Sequence, residues 1–166
     1  MVKLTINNIK CRFKVELPIN YKNKIKSLAD FVSIRQTGNI VILRTETAVY
    51  IVFSACFVNV TGIKSIDQIQ TAIEEFLYLF ELKDQNIPFI IDNISAHTKI
   101  DQTNYDYNIT DYANRLTIRY NGLILRNNLK FPSISVLLSQ GTIVLFRSGK
   151  INCVGIKTIS DICYFE

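Results

Sequence analysis

Few side chains in this sequence are spaced for bond-making chemistry. The acids Asp92, Asp101, Asp106 and Asp111 stand at no spacing used by paired catalytic carboxylates, and no G-x-S-x-G, phosphate-loop or G-x-G-x-x-G string occurs. Cys11, Cys56, Cys153 and Cys163 lack C-x-x-C spacing and read as reduced, packed thiols. A single histidine, His97, offers no basis for a His-ligated metal. We therefore expect no enzyme, no cofactor, no metal and no small-molecule substrate. Binding chemistry is better represented. Lys10, Arg12 and Lys14 alternate along one strand face, opposite Cys11, Phe13 and Val15, so three cations could follow a phosphate backbone. Lys22, Lys24 and Lys26 follow on a short helix, where they would face water or an acidic partner.

The elements that carry these residues must come from a chain of 166 residues, 48% hydrophobic and 20% charged, with six Gly and three Pro. That suits one ordinary domain, or two small units sharing a core, and excludes a disordered or collagen-like chain. Lys and Arg exceed Asp and Glu by five. The excess is uneven, +4 over residues 1–83 and +1 over 84–166. A mild basic surplus favours a polyanionic partner. The start, MVKLTINNIKCRFKVELP, is broken by charge and lacks a signal-peptide apolar core, and the most apolar stretch, Ala48 to Val60, is short of a bilayer span. The expectation is an intracellular protein without membrane contact, neither exported nor anchored.

A repeat organises the chain. Val49 to Ile69 aligns without a gap on Thr142 to Ile162, an offset of 93 residues. Phe53 falls on Phe146, Asn59 on Asn152, and Gly62-Ile63-Lys64 on Gly155-Ile156-Lys157. Ile6-Asn7-Asn8-Ile9 echoes Ile91-Asp92-Asn93-Ile94 at an offset of 85. The smaller offset puts insertions between the echoes of the second copy. We expect a tandem duplication, 1–83 and 84–166, forming one structural unit.

Each copy reads in the same order. An alternating strand (Leu4 to Val15; Phe89 to Ile100) precedes a short helix carrying Tyr21, Ile25 and Leu28, or Ile109, Tyr112 and Leu116. Three β-rich runs follow, with Arg147 to Lys150 a hairpin turn in the second copy. A final helix closes copy one. Ser65 and Gln68 read as its capping box, and Ile66, Ile69, Ile73, Phe76, Leu77 and Phe80 as its apolar face. Copy two begins the same helix at Thr158 with Asp161 third, but only two turns remain before Glu166.

Phe146-Arg-Ser-Gly-Lys150 followed by Gly155-Ile-Lys157, Thr61-Gly-Ile-Lys64 in copy one, Phe131-Pro132 ahead of the second string, and Asn8 and Asn93 before an Ile resemble the motifs of the TATA-box-binding protein family. The resemblance covers most of the chain at low identity. It implies an α+β fold: a pseudo-twofold duplication building a curved antiparallel sheet, a saddle with helices on its convex side. It also implies a transcription initiation factor whose concave side lies in the minor groove of A·T-rich double-stranded DNA, wedges Phe between base steps and recruits polymerase components. Asn amides, Thr hydroxyls and apolar side chains suit a groove that offers mainly acceptors.

Carried over residue by residue, the resemblance makes Asn8 and Asn93 donors to central bases, Phe131 and Phe146 a wedge pair, and Phe53 a wedge without its partner, since Gly38 stands at the matching place. Lys150 keeps the turn lysine, where copy one has Phe57; Arg44 keeps a family arginine, Thr61 a hydroxyl that Val154 loses. Strand parity adds Asn59 and Asn152 to the same face, at positions usually apolar in the family, and Lys10 as a phosphate contact. These departures weaken the case for TATA-type specificity. The short last helix would leave Ile143, Leu145, Ile151, Ile162 and Phe165 uncovered, so a second copy or another transcription subunit is expected to dock there. Heavy use of Ile, Asn, Lys and Tyr in a shortened member suggests an A·T-rich, viral or plasmid genome, and hence action in a nucleus or a viral transcription compartment. Two other readings remain open: a protein–protein module that kept the saddle and lost DNA, and the substrate-recognition domain of a nucleic-acid enzyme on another chain.

Overall fold

A computed structural model describes residues 3–29, 32–53, 57–83, 86–100, 108–126 and 132–165. The chain divides into two compact units, Asn8–Asp92 and a second made of the segment up to Asn7 with everything from Asn93 onward.

The first unit is antiparallel, with strands in the order β2-β3-β4-β5-β1. These are β1 (Thr5–Lys14), β2 (Ser33–Thr37), β3 (Ile40–Arg44), β4 (Val49–Phe53) and β5 (Phe57–Ile63), with helices α1 (Tyr21–Ser27) and α2 (Asp67–Leu79). Alternation of the apolar residues decides which face is sealed. Cys11, Phe13, Leu43, Tyr50, Val52, Val58 and Val60 are buried, and α2 packs against them through Ile69, Ala72, Ile73, Phe76 and Leu77. The Phe76 ring lies 5.4 Å from those of Phe13 and Tyr50 and 4.7 Å from that of Phe80. Such side chains each stabilise by roughly 1.5–3 kcal/mol on burial. The Tyr50 hydroxyl donates to the Ala72 carbonyl at 2.9 Å and bonds the Glu75 carboxylate. Burial first, and then Glu75, raise its pKa far above the ordinary tyrosine range.

The helix does not start with the expected Ser65–Gln68 box. Ile66 occupies the N-cap position and makes no side-chain cap. Gln68 Oε1 accepts from the Lys64 N–H at 3.0 Å, one residue before the expected cap. Asp67 in the first turn complements the helix dipole instead.

The second unit repeats the plan, in the order β6-β10-β9-β8-β7. Its strands are β6 (Phe89–Lys99), β7 (Leu123–Arg126), β8 (Ser133–Leu138), β9 (Gly141–Phe146) and β10 (Lys150–Ile156), with helices α3 (Ile109–Tyr120) and α4 (Ile159–Phe165). Here the expected cap is complete. Thr158 Oγ1 accepts from the Asp161 N–H and Asp161 Oδ2 from the Thr158 N–H, both at 3.2 Å.

Helix α3 settles what covers this sheet. Asn108 caps it by accepting from the Thr110 and Asp111 N–H groups, and Asn121 ends it in the left-handed region at φ 50°. Gly122 then lets the chain turn hard against β8. A Cβ at this position would stand 2.4 Å from Leu138 Cδ2 and 3.0 Å from the Leu137 carbonyl oxygen. So α3 lies over β7, β8 and β9, and α4 over β10.

This corrects the expectation of an uncovered apolar face. Ile143, Leu145, Ile151 and Ile162 are already buried within this chain, and Phe165 is half-buried with its ring edge-on to Tyr164. The short α4 has its deficit made good by a longer α3. No helix among the described residues is long and apolar enough to cross a membrane.

Candidate nucleic-acid interface

In each unit the face turned away from the helices carries the sequence candidates, and register places them in rows. In the first unit one row runs Arg12, Asn59, Ile51, Ile42, Arg35 across five strands. The next row runs Lys14, Phe57, Phe53, Ile40 and Thr37. Thr61 and Arg44 both lie opposite Val49. Asn8, Lys10, Arg44, Phe53, Asn59 and Thr61 therefore share one face, as the alternation required. In the second unit the matching row is His97, Asn152, Val144, Ser135, Leu125. Phe146 lies opposite Ser133, and Lys150 opposite Lys99. Asn93, Phe146, Lys150 and Asn152 are thus together as well. Phe131 lies outside the described residues.

The turn that sets Phe146 and Lys150 is tight. Gly149, at φ 76°, donates its N–H to the Phe146 carbonyl at 3.0 Å.

The paired asparagines have a structural duty that residue type alone does not reveal. Both repeats contain the same β-bulge: Thr61-Gly62 against Lys10, and Val154-Gly155 against Ser95. Each bulge glycine has a positive φ, 92° and 80°, which a side chain would strain. Asn8 Oδ1 accepts from the Gly62 N–H at 2.7 Å and the Thr61 hydroxyl at 3.1 Å. Asn93 Oδ1 accepts from the Gly155 N–H at 2.7 Å. With the amide oxygen tied to the bulge, the orientation of the Nδ2 donors is set by the backbone.

Two further residues of this surface escape sequence reasoning. Phe57 sits directly opposite Phe53 on the open face and is half-exposed, so copy one does hold a second aromatic beside its wedge candidate. Its signal is its alignment with Lys150, which reads only as an absent lysine. His97 draws notice solely as a metal ligand; strand parity with Asn93 and Lys99 marks it as an open-face residue.

The charge on these faces is mostly positive. Arg12 meets Asp92 at 3.4 Å, with half of the Arg12 side chain exposed. Lys24 on α1 pairs with Glu81, away from the sheet. Cys11 and Cys153 are sealed on the helix side, and burial pushes both thiols up to about 11, Asp92 adding to the effect at Cys11.

Two sets of five strands, each sealed by helices on one face and carrying matched polar, aromatic and basic residues on the other, define a duplicated α+β protein with an open sheet face in each unit. The family model for transcription factor TFIID, or TATA-binding protein, matches residues 3–82. The solved structure of Methanococcus jannaschii TBP is similar over 98% of this chain and 93% of its own, with a TM-score of 0.75 and 18% identity. No curated protein sequence matches. Residues 3–82 thus match the TATA-binding protein family model, and both repeats together have the α+β fold of that solved structure.

Proposed function

We propose that this protein is a promoter-binding initiation factor that reads A·T-rich double-stranded DNA through the minor groove and brings a polymerase assembly to it. The observation that supports the reading is the recurrence, on the open face of both units, of an Asn beside an apolar row and a Phe at the hairpin end. Groove edges of A·T pairs offer acceptors, which amide and hydroxyl donors satisfy, and apolar side chains and Phe pack on a widened, unstacked groove. Lys10, Arg12, Lys14, Arg44 and Lys150 would neutralise phosphates. Each repeat, 1–83 and 84–166, acts as one half of the reader. Phe53 with Phe57, and Phe146 with Phe131, serve as the wedges. The site of action is the compartment where transcription occurs.

The rival reading, a protein–protein module, draws on Leu123, Leu125 and Leu137, which are exposed on the open face of the second unit. A titration by fluorescence anisotropy with A·T-rich and G·C-rich duplexes, repeated across salt, tests both. Tighter binding to the A·T-rich duplex, with affinity falling steeply in salt, supports the DNA reading; no binding to either duplex hands the surface to a protein partner.

A further inference from the structure

The helix side of the first unit is not completely closed. Between α1 and strands β2 and β3 lies a cleft of about 480 Å³, with Ile25, Ile34 and Val41 as its floor and Lys22, Lys26 and Gln36 on its rim. That volume is within the range of about 300–1,000 Å³ typical of ligand pockets. The three rim residues are exposed and Ile34 is half-buried, so a partner can reach the site from solvent.

The second unit shows what fits such a place. Sheet order makes β7 and β8 the counterparts of β2 and β3, and α3, twelve residues long, lies over them. The seven residues of α1 are too few to do the same. Charge selects the kind of helix that would complete the cover. Helix α1 holds three lysines and no acid. Lys24, which does not line this cleft, pairs with Glu81. Lys22 and Lys26 stand four residues apart on the cleft side, a spacing at which like charges repel. Among the described residues neither meets a carboxylate, and no acid lines the cleft. Side chains at i and i+4 of a helix share a stripe and rise by about 6 Å, so two acids at that spacing match the two ammonium groups.

We infer that this cleft docks an acidic amphipathic helix of a partner protein. Its apolar stripe lies over Ile34 and Val41, and its acids meet Lys22 and Lys26. The cleft is on the sealed side of the sheet, away from the open face, so the inference does not depend on the DNA reading.

The probe is a fluorescein-labelled helical peptide with Glu at i and i+4 beside a stripe of Leu, titrated by anisotropy against the whole chain. It should bind saturably. A peptide with Lys in place of Glu, and a scrambled one whose stripe is broken, should each bind at least about tenfold more weakly. Lys22→Glu combined with Lys26→Glu should abolish binding of the acidic peptide and confer binding of the Lys peptide, a gain that no folding fault produces. Ile34→Ala should weaken the acidic peptide about fivefold through lost apolar contact, while Lys24→Gln should leave its affinity unchanged. Absence of saturable binding, equal binding of the scrambled peptide, or acidic-peptide binding that survives the double charge reversal overturns the inference. A loss in Lys24→Gln as large as that in the reversed variant overturns it too, by placing the peptide elsewhere on α1.

Discussion

The two repeats share one pattern and solve the same packing problem differently. The first covers its sheet with a front helix of seven residues and a rear helix of thirteen; the second uses twelve in front and seven behind. In the first, α2 drives an aromatic cluster of Phe13, Tyr50, Phe76 and Phe80 into the sheet. In the second, α3 approaches so closely that its buried residue is Ala113 and its exit must be Gly122. A helix shortened at one end of a repeat can be offset by one lengthened at the other, provided the close-approach positions are small. The open faces diverge too. The first unit's central row runs from Arg12 to Arg35, and the second unit's from His97 to Leu125. The first row is flanked by two cations, the second by an imidazole and an aliphatic side chain.

The packing contrast is the easiest to break. Phe76→Ala removes the centre of the aromatic cluster and should cost about 3–5 kcal/mol in urea unfolding, whereas Tyr164→Ala at the exposed end of α4 should cost under about 1 kcal/mol. Equal losses would show that α2 and α4 contribute alike. Gly122→Ala should cost about 1–3 kcal/mol, because the new methyl meets a backbone carbonyl as well as Leu138. A neutral result would mean α3 sits further from β8 than the register demands.

The sealed thiols, one in each unit, respond to alkali together. Their pKa is raised from an ordinary 9.0 to about 11, so the stability they contribute is full below pH 9 and is lost as pH rises through 11. In Cys11→Val and Cys153→Val, thermal melts between pH 9 and 11 should fall less steeply than in the parent protein. If the slopes coincide, the thiols are not the titrating groups.

Salt separates the two open faces. Arg12→Gln should lower the slope of log affinity against log salt by about 1, because one phosphate fewer is neutralised on binding, while His97→Gln leaves the slope unchanged. The same slope change in both would erase that contrast.

The smallest effect concerns the bulges. Asn8 secures its glycine and a threonine hydroxyl, Asn93 its glycine. Asn8→Ala should therefore cost about 1 kcal/mol of stability and Asn93→Ala about half that, both being open to water. The reverse order would assign the larger structural role to the second bulge.

Much of this architecture is legible in one sequence because periodicity and self-similarity are local signals. The duplication at offset 93 reveals the equivalence of Phe53 with Phe146 and of Asn59 with Asn152, and alternation assigns their face correctly. The misreadings have a common origin, since each treats a residue apart from its neighbours in space. Ser65, a good cap by type, is displaced because Ile66 takes the N-cap position and Asp67 opens the helix. Phe57 compared with its counterpart Lys150 looks like a deficit, though what matters is the residue across the hairpin.

By itself the chain determined its repeat, its strand faces and its basic bias, since these depend on residue type at fixed short spacing. Only tertiary structure decided which apolar face was sealed, because α3 reaches β8 and β9 from far along the chain. It also decided the partners of Asn8 and Asn93, which accept from bulge glycines more than fifty residues away. The pairing of His97 with Asn152 was decided the same way, since the register of β6 against β10 is a property of two strands and of neither alone.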